Sequence, residues 1–299
     1  MSWLYIAGRG HSGSTFLDIV LGNNKKIESY GEVISAIARL DSNCGCGQVM
    51  AECPFWSSVI TSYQSSKRDW LTDVLFLKDR SHIKYWPQLL LSGSYGKRNA
   101  ELVKINEVIH NLIQDNANAD WILDSSKEPT RALFLLSSNP QSKIIHILRD
   151  PLDVANSYKK RFVKYGYFRF LRRNYESKKY FFFFAAIIGL SWTFGNLMIE
   201  VMKLKYPNRI FKFQHEKMLS QFDQSTKELE EFIGVDLSDI REKQNSNTGF
   251  IVGHNIGGNH IRNDNKIFLK TTPDKRSLSK LETMIVLVTT WPLRLIYKY

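Results

Sequence analysis

Eleven residues near the start of the chain carry the densest set of groups able to hold an anion: Ala7-Gly8-Arg9-Gly10-His11-Ser12-Gly13-Ser14-Thr15-Phe16-Leu17. Three glycines let the backbone turn sharply and aim its N–H groups inward, while two serines and a threonine add hydroxyl donors. The apolar run Trp3-Leu4-Tyr5-Ile6-Ala7 precedes the loop and reads as a strand. After it, Phe16, Leu17, Val20 and Leu21 share one helical face, with Gly22 as the stop. A loop between strand and helix also gains the helix's unpaired N–H groups and the positive end of its dipole, which together cradle phosphate-like anions. Against the pattern G-x-x-x-x-G-K-[ST], Gly8, Gly13 and Thr15 fit, but Ser14 stands where the phosphate-binding lysine belongs. That substitution disfavours ordinary ATP or GTP hydrolysis. A glycine-rich turn with no ligand is the plain alternative, and the agreement of strand, loop and helix argues against it.

Three further groups fall at strand ends. Glu32 follows Gly31 and precedes a helical stretch from Val33 to Leu40, so it is either a functional carboxylate or an acid favoured by a helix start. The strand Trp121-Ile122-Leu123 runs into Asp124-Ser125-Ser126-Lys127-Glu128-Pro129, ahead of a helix over Thr130 to Leu136. The strand Lys143–Leu148 runs into Arg149-Asp150-Pro151, and Pro151 opens a helix over Leu152 to Lys160 that carries Ser157. A permanent forked cation and a hydroxyl, Arg149 and Ser157, can grip one phosphate between them. In an open parallel sheet the C-terminal strand edge is where ligands bind, so all these groups are expected to meet there.

These groups need a core to position them, and 299 residues with 43% hydrophobic content supply one. The expected fold is a single α/β domain over 1–299, a three-layer P-loop-type arrangement with a central, mostly parallel sheet. Residues 41–120 read as a helical insertion covering the acceptor side of the cleft, with Leu102, Ile105, Ile109 and Leu112 at helical spacing. Cys44, Cys46 and Cys53 are too few and too close for a disulfide framework. Cys44-Gly45-Cys46-Gly47 could begin a zinc site, but no fourth ligand lies nearby in sequence, so reduced thiols packing a small subdomain, or one local disulfide, are expected.

The net charge of +12 implies an anionic ligand, acceptor or surface. Nine of the residues from Lys159 to Lys179 are Lys or Arg, interleaved with aromatics. That composition fits single-stranded nucleic acid, a membrane surface, an anionic acceptor or plain solvation. Tyr180 to Trp192 reads as an apolar core helix, Arg209–Phe213 as a strand and Thr226–Ile233 as an amphipathic helix. Thr283–Ile296 is apolar and short enough to dock on the fold or touch lipid. No leader is expected before the first strand, and no apolar run reaches the roughly 18 residues of a membrane span. The expected location is cytoplasmic, with peripheral membrane contact possible.

His11-Ser12-Gly13-Ser14-Thr15-Phe16-Leu17 resembles the 5′-phosphosulfate loop of sulfotransferases, and Ile147-Leu148-Arg149-Asp150-Pro151 with Ser157 resembles their 3′-phosphate motif. Gly31-Glu32 and Lys127-Glu128-Pro129 are similar to segments of the tyrosylprotein and carbohydrate branches. Cys44-Gly45-Cys46-Gly47 with Cys53-Pro54-Phe55-Trp56, and Gly258-Asn259-His260-Ile261-Arg262, resemble blocks of bacterial members. The likeness runs from residue 3 to about 265. It implies transfer of a sulfuryl group from 3′-phosphoadenosine-5′-phosphosulfate (PAPS) to an acceptor hydroxyl by in-line displacement, leaving PAP. The acceptor would be a small molecule, glycan or lipid, with no metal required and no nucleic acid partner.

On that resemblance Glu32 is the base, and Lys127 and His11 hold charge at the transferring group. Arg9, Gly10, His11, Ser12, Gly13, Ser14, Thr15, Arg149, Ser157, Asn259 and Arg262 hold the nucleotide. Relatives carry lysine or arginine where this chain has His11, so either a protonated His11 or Arg9 would supply the loop's charge. The alternatives are a P-loop kinase or NTPase, which lacks its lysine here, and a basic nucleic-acid-binding protein acting through residues 159–179.

Overall fold

The computed structural model describes residues 2–36, 39–117, 119–165, 181–269 and 275–299. From residue 166 onward, the basic stretch read at 159–179 lies outside them.

The first strand, β1 (Trp3–Gly8), is the middle of the molecule. Trp3 to Ala7 are wholly buried, the continuous apolar run expected of a parallel strand covered on both faces. Successive side chains leave a strand on opposite sides, and the packing follows that alternation. Trp3, Tyr5 and Ala7 enter one core, and Leu4 and Ile6 enter the other. Helix α1 (Ser14–Leu21) packs Leu17, Val20 and Leu21 into the second core and leads to β2 (Ile27–Ser29). A single turn, α2 (Val33–Ala36), follows Glu32 and is shorter than the expected helix to Leu40.

Residues 54–117 fold into four helices: α3 (Pro54–Ser65), α4 (Trp70–Arg80), α5 (Trp86–Ser92) and α6 (Asn99–Ala117). They pack on the Trp3 face through Trp56, Tyr63, Trp70 and Ile105. The chain then returns to the sheet as β3 (Trp121–Lys127), α7 (Pro129–Ser138), β4 (Lys143–Leu148) and α8 (Pro151–Tyr165).

The 25-residue α9 (Phe181–Lys205) leads to the last strand of the sheet, β5 (Ile210–Gln214). The short α10 (His215–Ser220), α11 (Phe222–Ile233) and α12 (Ser238–Asn245) then cover the Leu4 face. The order across the sheet is β2-β3-β1-β4-β5, all parallel. From β1 the chain goes to the edge strand β2, fills the gap with β3 and crosses to β4 and β5 on the other side, so the reversal leaves a crevice above β1. This is the expected α/β fold: a parallel sheet between two helical layers.

After α12 the chain makes a small antiparallel pair, β6 (Phe250–Ile251) and β7 (Lys266–Ile267), with a loop between them that returns to the sheet edge. The final helix, α13 (Lys280–Tyr297), carries a full capping box at Ser279 and Glu282. It lies against α9 at close range. A Cβ on Gly189 would fall 2.0 Å from Thr289 Oγ1, so only glycine permits the crossing, and Thr193 Oγ1 donates to the Thr289 carbonyl at 2.8 Å.

Helix α9 corrects one reading. It runs through Thr193, Gly195 and Asn196, where the apolar sequence looks interrupted, and it is long and apolar enough by length and composition to cross a membrane. Here one face is buried in the protein, through Phe181, Ile188, Trp192 and Ile199. Phe183, Ile187, Leu190, Phe194 and Leu197 are exposed on the other. Met284, Val288, Trp291 and Leu295 make a matching exposed stripe on α13.

Candidate active site

The crevice above β1 holds a cavity of about 390 Å³. One wall is the loop after β1 and the start of α1: His11, Gly13, Ser14, Thr15 and Phe16. Gly13 takes φ +87°, and a Cβ there would sit 2.1 Å from the ring of His215, so glycine is required both for the turn and for the space. The turn leaves the first N–H groups of α1 without intrahelical partners, and Ser12 Oγ is buried with no hydrogen-bond partner. Arg149 from the end of β4, with Ser157 and Arg161 from α8, makes a second wall. The Arg149 Nη1 donates to the His11 carbonyl at 2.9 Å, which props the loop, while its Nε has no partner.

The third wall is the loop between β6 and β7. Its Asn259 N–H donates to Thr15 Oγ1 at 3.1 Å, and Arg262 lines the cavity with a buried, unpartnered Nε. This loop is tied to the sheet edge by backbone bonds. The Glu32 N–H donates to the Ile256 carbonyl at 2.7 Å, and the Ile256 N–H donates to the Tyr30 carbonyl at 2.9 Å. Asn255 reaches under it. Its Nδ2 donates to Asp18 Oδ2 at 2.7 Å, and Ser29 Oγ donates to the same oxygen at 2.7 Å. Burial pushes the Asp18 carboxyl up to about 7.

Glu32 faces the cavity and is ion-paired with Lys127, both side chains mostly buried. Lys127 reaches it from a contorted strand end. The β1–β3 register shifts between Tyr5 and Ala7, Asp124 Oδ1 accepts from the Ser126 N–H at 2.9 Å, and Lys127 itself sits at φ +71°. His11 is also left-handed, at φ +66°. Such backbone costs on the order of 1–3 kcal/mol for a residue with a side chain and concentrates at functional sites.

Nine of the expected site residues line one cavity: His11, Gly13, Ser14, Thr15, Glu32, Arg149, Ser157, Asn259 and Arg262. Arg9, Gly10, Ser12 and Lys127 are not in its lining. Gly10 instead makes room for the Tyr158 hydroxyl, 2.7 Å from where a Cβ would stand. The charge expected of His11 is corrected. Burial first, then the cations Arg161, Lys127, Arg149 and Arg9, lower its pKa to about 4. The ring is neutral at physiological pH, packed on Tyr158 with 4.2 Å between ring centres and with Nδ1 2.8 Å from Ser157 Oγ.

Among the described residues, positive charge on the lining comes from Arg39, Arg149, Arg161 and Arg262, against a single carboxylate, Glu32. Arg39 and Arg161 had no motif to mark them. Arg39 is signalled only by its position just beyond the turn after Glu32, and Arg161 by its place one helical turn after Ser157 within the basic stretch that begins at Lys159. The cysteines also gain an unexpected neighbour, because His254 from the β6–β7 loop meets Cys44, Cys46 and Cys53.

A family model described as "Sulfotransferase family" matches residues 4–239. Among solved structures, the sulfotransferase domain of the Synechococcus PCC 7002 olefin synthase is 14% identical, with TM-score 0.48, 96% of this chain and 94% of that chain being covered. The sulfotransferase domain from the curacin biosynthetic pathway is 16% identical at TM-score 0.48, with 94% and 95% covered. The sulfotransferase STF1 of Mycobacterium tuberculosis H37Rv is 12% identical at TM-score 0.48, with 84% and 72% covered. No curated protein matches the chain in sequence.

Proposed function

Because the chain belongs to the sulfotransferase family, we propose that the cavity above β1 binds PAPS and that the protein transfers its sulfuryl group to an acceptor hydroxyl. One observation carries this reading: a helix N-terminus, four arginines and Glu32, with Lys127 paired to it from outside the lining, meet at a single cavity at the sheet's C-terminal edge. The residues present fit a multiply anionic nucleotide. The Nε atoms of Arg149 and Arg262, both on the lining, are buried donors lacking partners inside the protein, and an anion would supply them. Arg149 and Ser157 would hold the 3′-phosphate, and the loop N–H groups with Ser14 and Thr15 the 5′ end.

PAPS supplies an activated sulfuryl group on a good leaving phosphate. The chain's own work is then to orient, to neutralise and to move one proton. Glu32 takes the proton of the acceptor hydroxyl. Lys127, held beside it, balances charge that builds on the sulfuryl oxygens. The β6–β7 loop covers the donor through Asn259 and Arg262. Ser14 leaves the loop without the lysine that a hydrolysing nucleotide site uses. The proposed partner is a small molecule, glycan or lipid bearing the acceptor hydroxyl.

PAP should raise the melting temperature of the protein clearly at 100 times its Kd, equivalent to about 2.7 kcal/mol. ATP with Mg²⁺ and single-stranded DNA should shift it far less at equal concentration. A larger shift with ATP would move the protein to the kinase reading.

His11 acts in this scheme as a neutral ring whose Nδ1 lies 2.8 Å from Ser157 Oγ, the tautomer deciding which of the two donates. In the free enzyme the His11 pKa lies near 4, so no ionisation of His11 falls between about pH 6 and 9, the range bracketing its unperturbed value. The kcat/KM profiles of wild type and His11→Gln should therefore run parallel over that range. A wild-type inflection near 6.5 that disappears in the variant would restore a cationic role.

A further inference from the structure

We propose that Cys44, Cys46, Cys53 and His254 form a structural zinc site that fastens the loop closing the active-site cavity. The four ligand atoms all lie within 4.8 Å of one another. The sulfurs of Cys46 and Cys53 are 3.6 Å apart, as are those of Cys53 and Cys44. His254 Nδ1 stands 3.2 Å from the Cys53 sulfur and 3.8 Å from that of Cys44. A tetrahedron with Zn–S of about 2.3 Å and Zn–N of about 2.0–2.1 Å has S···S edges of about 3.8 Å and S···N edges of about 3.5 Å. The two S···S edges fall slightly short of that value, and the two S···N edges, at 3.2 and 3.8 Å, lie on either side of theirs. A disulfide, with its sulfurs about 2.05 Å apart, would draw one pair together and leave the third thiol aside, whereas two pairs here share one spacing.

The surroundings fix each ligand. The segment before α3 turns back on itself: the Cys44 N–H donates to the Gln48 carbonyl at 2.8 Å, and the Gly47 N–H donates to the Cys44 carbonyl at 3.0 Å. Cys53 sits at the N-terminal cap of α3, which fixes its place at the helix start. The His254 ring stacks on Phe55, with centres 5.4 Å apart and planes 19° apart, and its carbonyl accepts from Trp56 Nε1 at 2.9 Å. Three thiolates and an imidazole select zinc among the common divalent ions, and four protein ligands leave no open position for a reaction.

The site would join two segments separated by about 200 residues. One is the cysteine turn, and the other is the loop carrying Asn259 and Arg262. The backbone already crosses there, with the Gly45 N–H donating to the Asn255 carbonyl at 2.8 Å and Arg262 Nη2 to the Asn43 carbonyl at 3.3 Å. A metal would lock that crossing beside Glu32, which is bonded to the same loop at Ile256. The four side chains are positioning residues, and the site stands whether or not PAPS is the donor.

The test is metal analysis of the reduced full-length protein, purified without chelators. About one zinc per chain is expected, as for a closed structural site. Cobalt exchanged into the wild-type protein should give the intense visible bands of a tetrahedral thiolate site. Cys46→Ser, at the exposed ligand, should fold, lose most of its zinc and weaken those bands, while His254→Cys should retain them in shifted form. Chelation of the wild type should raise hydrogen exchange across residues 252–262 and leave β1 protected. Substoichiometric zinc together with a failure to take up cobalt tetrahedrally would overturn the proposal. A disulfide among the three cysteines in peptide maps of freshly isolated protein would overturn it as well.

Discussion

Replacing Glu32 with glutamine is expected to lower turnover by about 100-fold or more while leaving PAP affinity within about two-fold, because a positioned general base contributes on that scale only when the proton moves. Glutamine keeps the size and can still accept a hydrogen bond from Lys127, so the cavity wall should survive. What disappears is the oxygen able to take a proton. Its loss also leaves Lys127 without its counter-ion, which would, if anything, draw an anionic nucleotide more strongly. Catalysis and donor binding should therefore part company in this one variant. The measurement is PAP formation with saturating PAPS and acceptor, beside calorimetric PAP binding. Near-normal turnover would reduce Glu32 to an anchor for Lys127. A parallel collapse of PAP affinity would point to a damaged wall.

Arg149→Ala should weaken PAP binding by about 100-fold and AMP binding by only a few-fold, since removing one partner of a buried charged contact costs about 2–5 kcal/mol. The two ligands differ only in the 3′-phosphate, so their ratio isolates that contact. The ratio matters because Arg149 has a second job. Its Nη1 supports the loop at the His11 carbonyl, and truncation will soften every ligand's site somewhat. Titrating both nucleotides into both proteins separates the two roles. If PAP and AMP lose affinity equally, Arg149 is a loop prop and the 3′-phosphate is held elsewhere.

What the amino-acid order makes legible is local. The strand Trp3–Gly8, the turn and helix α1 announce themselves through apolar runs, glycines and period, and the structure places them as read. Arg149, Glu32 and Ser157 are legible for a related reason: the first two lie just past strand ends, and Ser157 about two turns into the helix that follows β4. Properties that depend on distant neighbours are not legible. His11 looks like a cation in waiting until burial, and after it Arg161, Lys127 and Arg149, disfavours the charge. The cysteines look like an incomplete set because their fourth neighbour, His254, comes from the far end of the chain. Helix α9 looks shorter than it is because Thr193 and Asn196 interrupt the apolar run, though Thr193 Oγ1 donates to a carbonyl of α13 and Asn196 Oδ1 pairs with the buried ring of His146. Nor does any residue type announce that Lys127 turns back at φ +71°, since the bulged pairing of β1 with β3 sets that conformation.

The central place of β1 has a cost during synthesis. Its neighbours are β3 and β4, so Trp3 pairs opposite Ile122 and Leu4 opposite Lys143. At roughly 5–20 residues per second, a ribosome needs on the order of ten seconds to deliver those partners after the strand itself has emerged. Throughout that interval Trp3-Leu4-Tyr5-Ile6-Ala7, the most deeply buried run of the finished protein, has no strand to join. Contacts this far apart in the chain also make the folding step slow once the partners exist. The segment that anchors the loop above β1 thus waits, unpaired, for partners made much later. Refolding from denaturant should therefore lose yield to aggregation as concentration rises, before any defect appears in the chemistry of the folded enzyme.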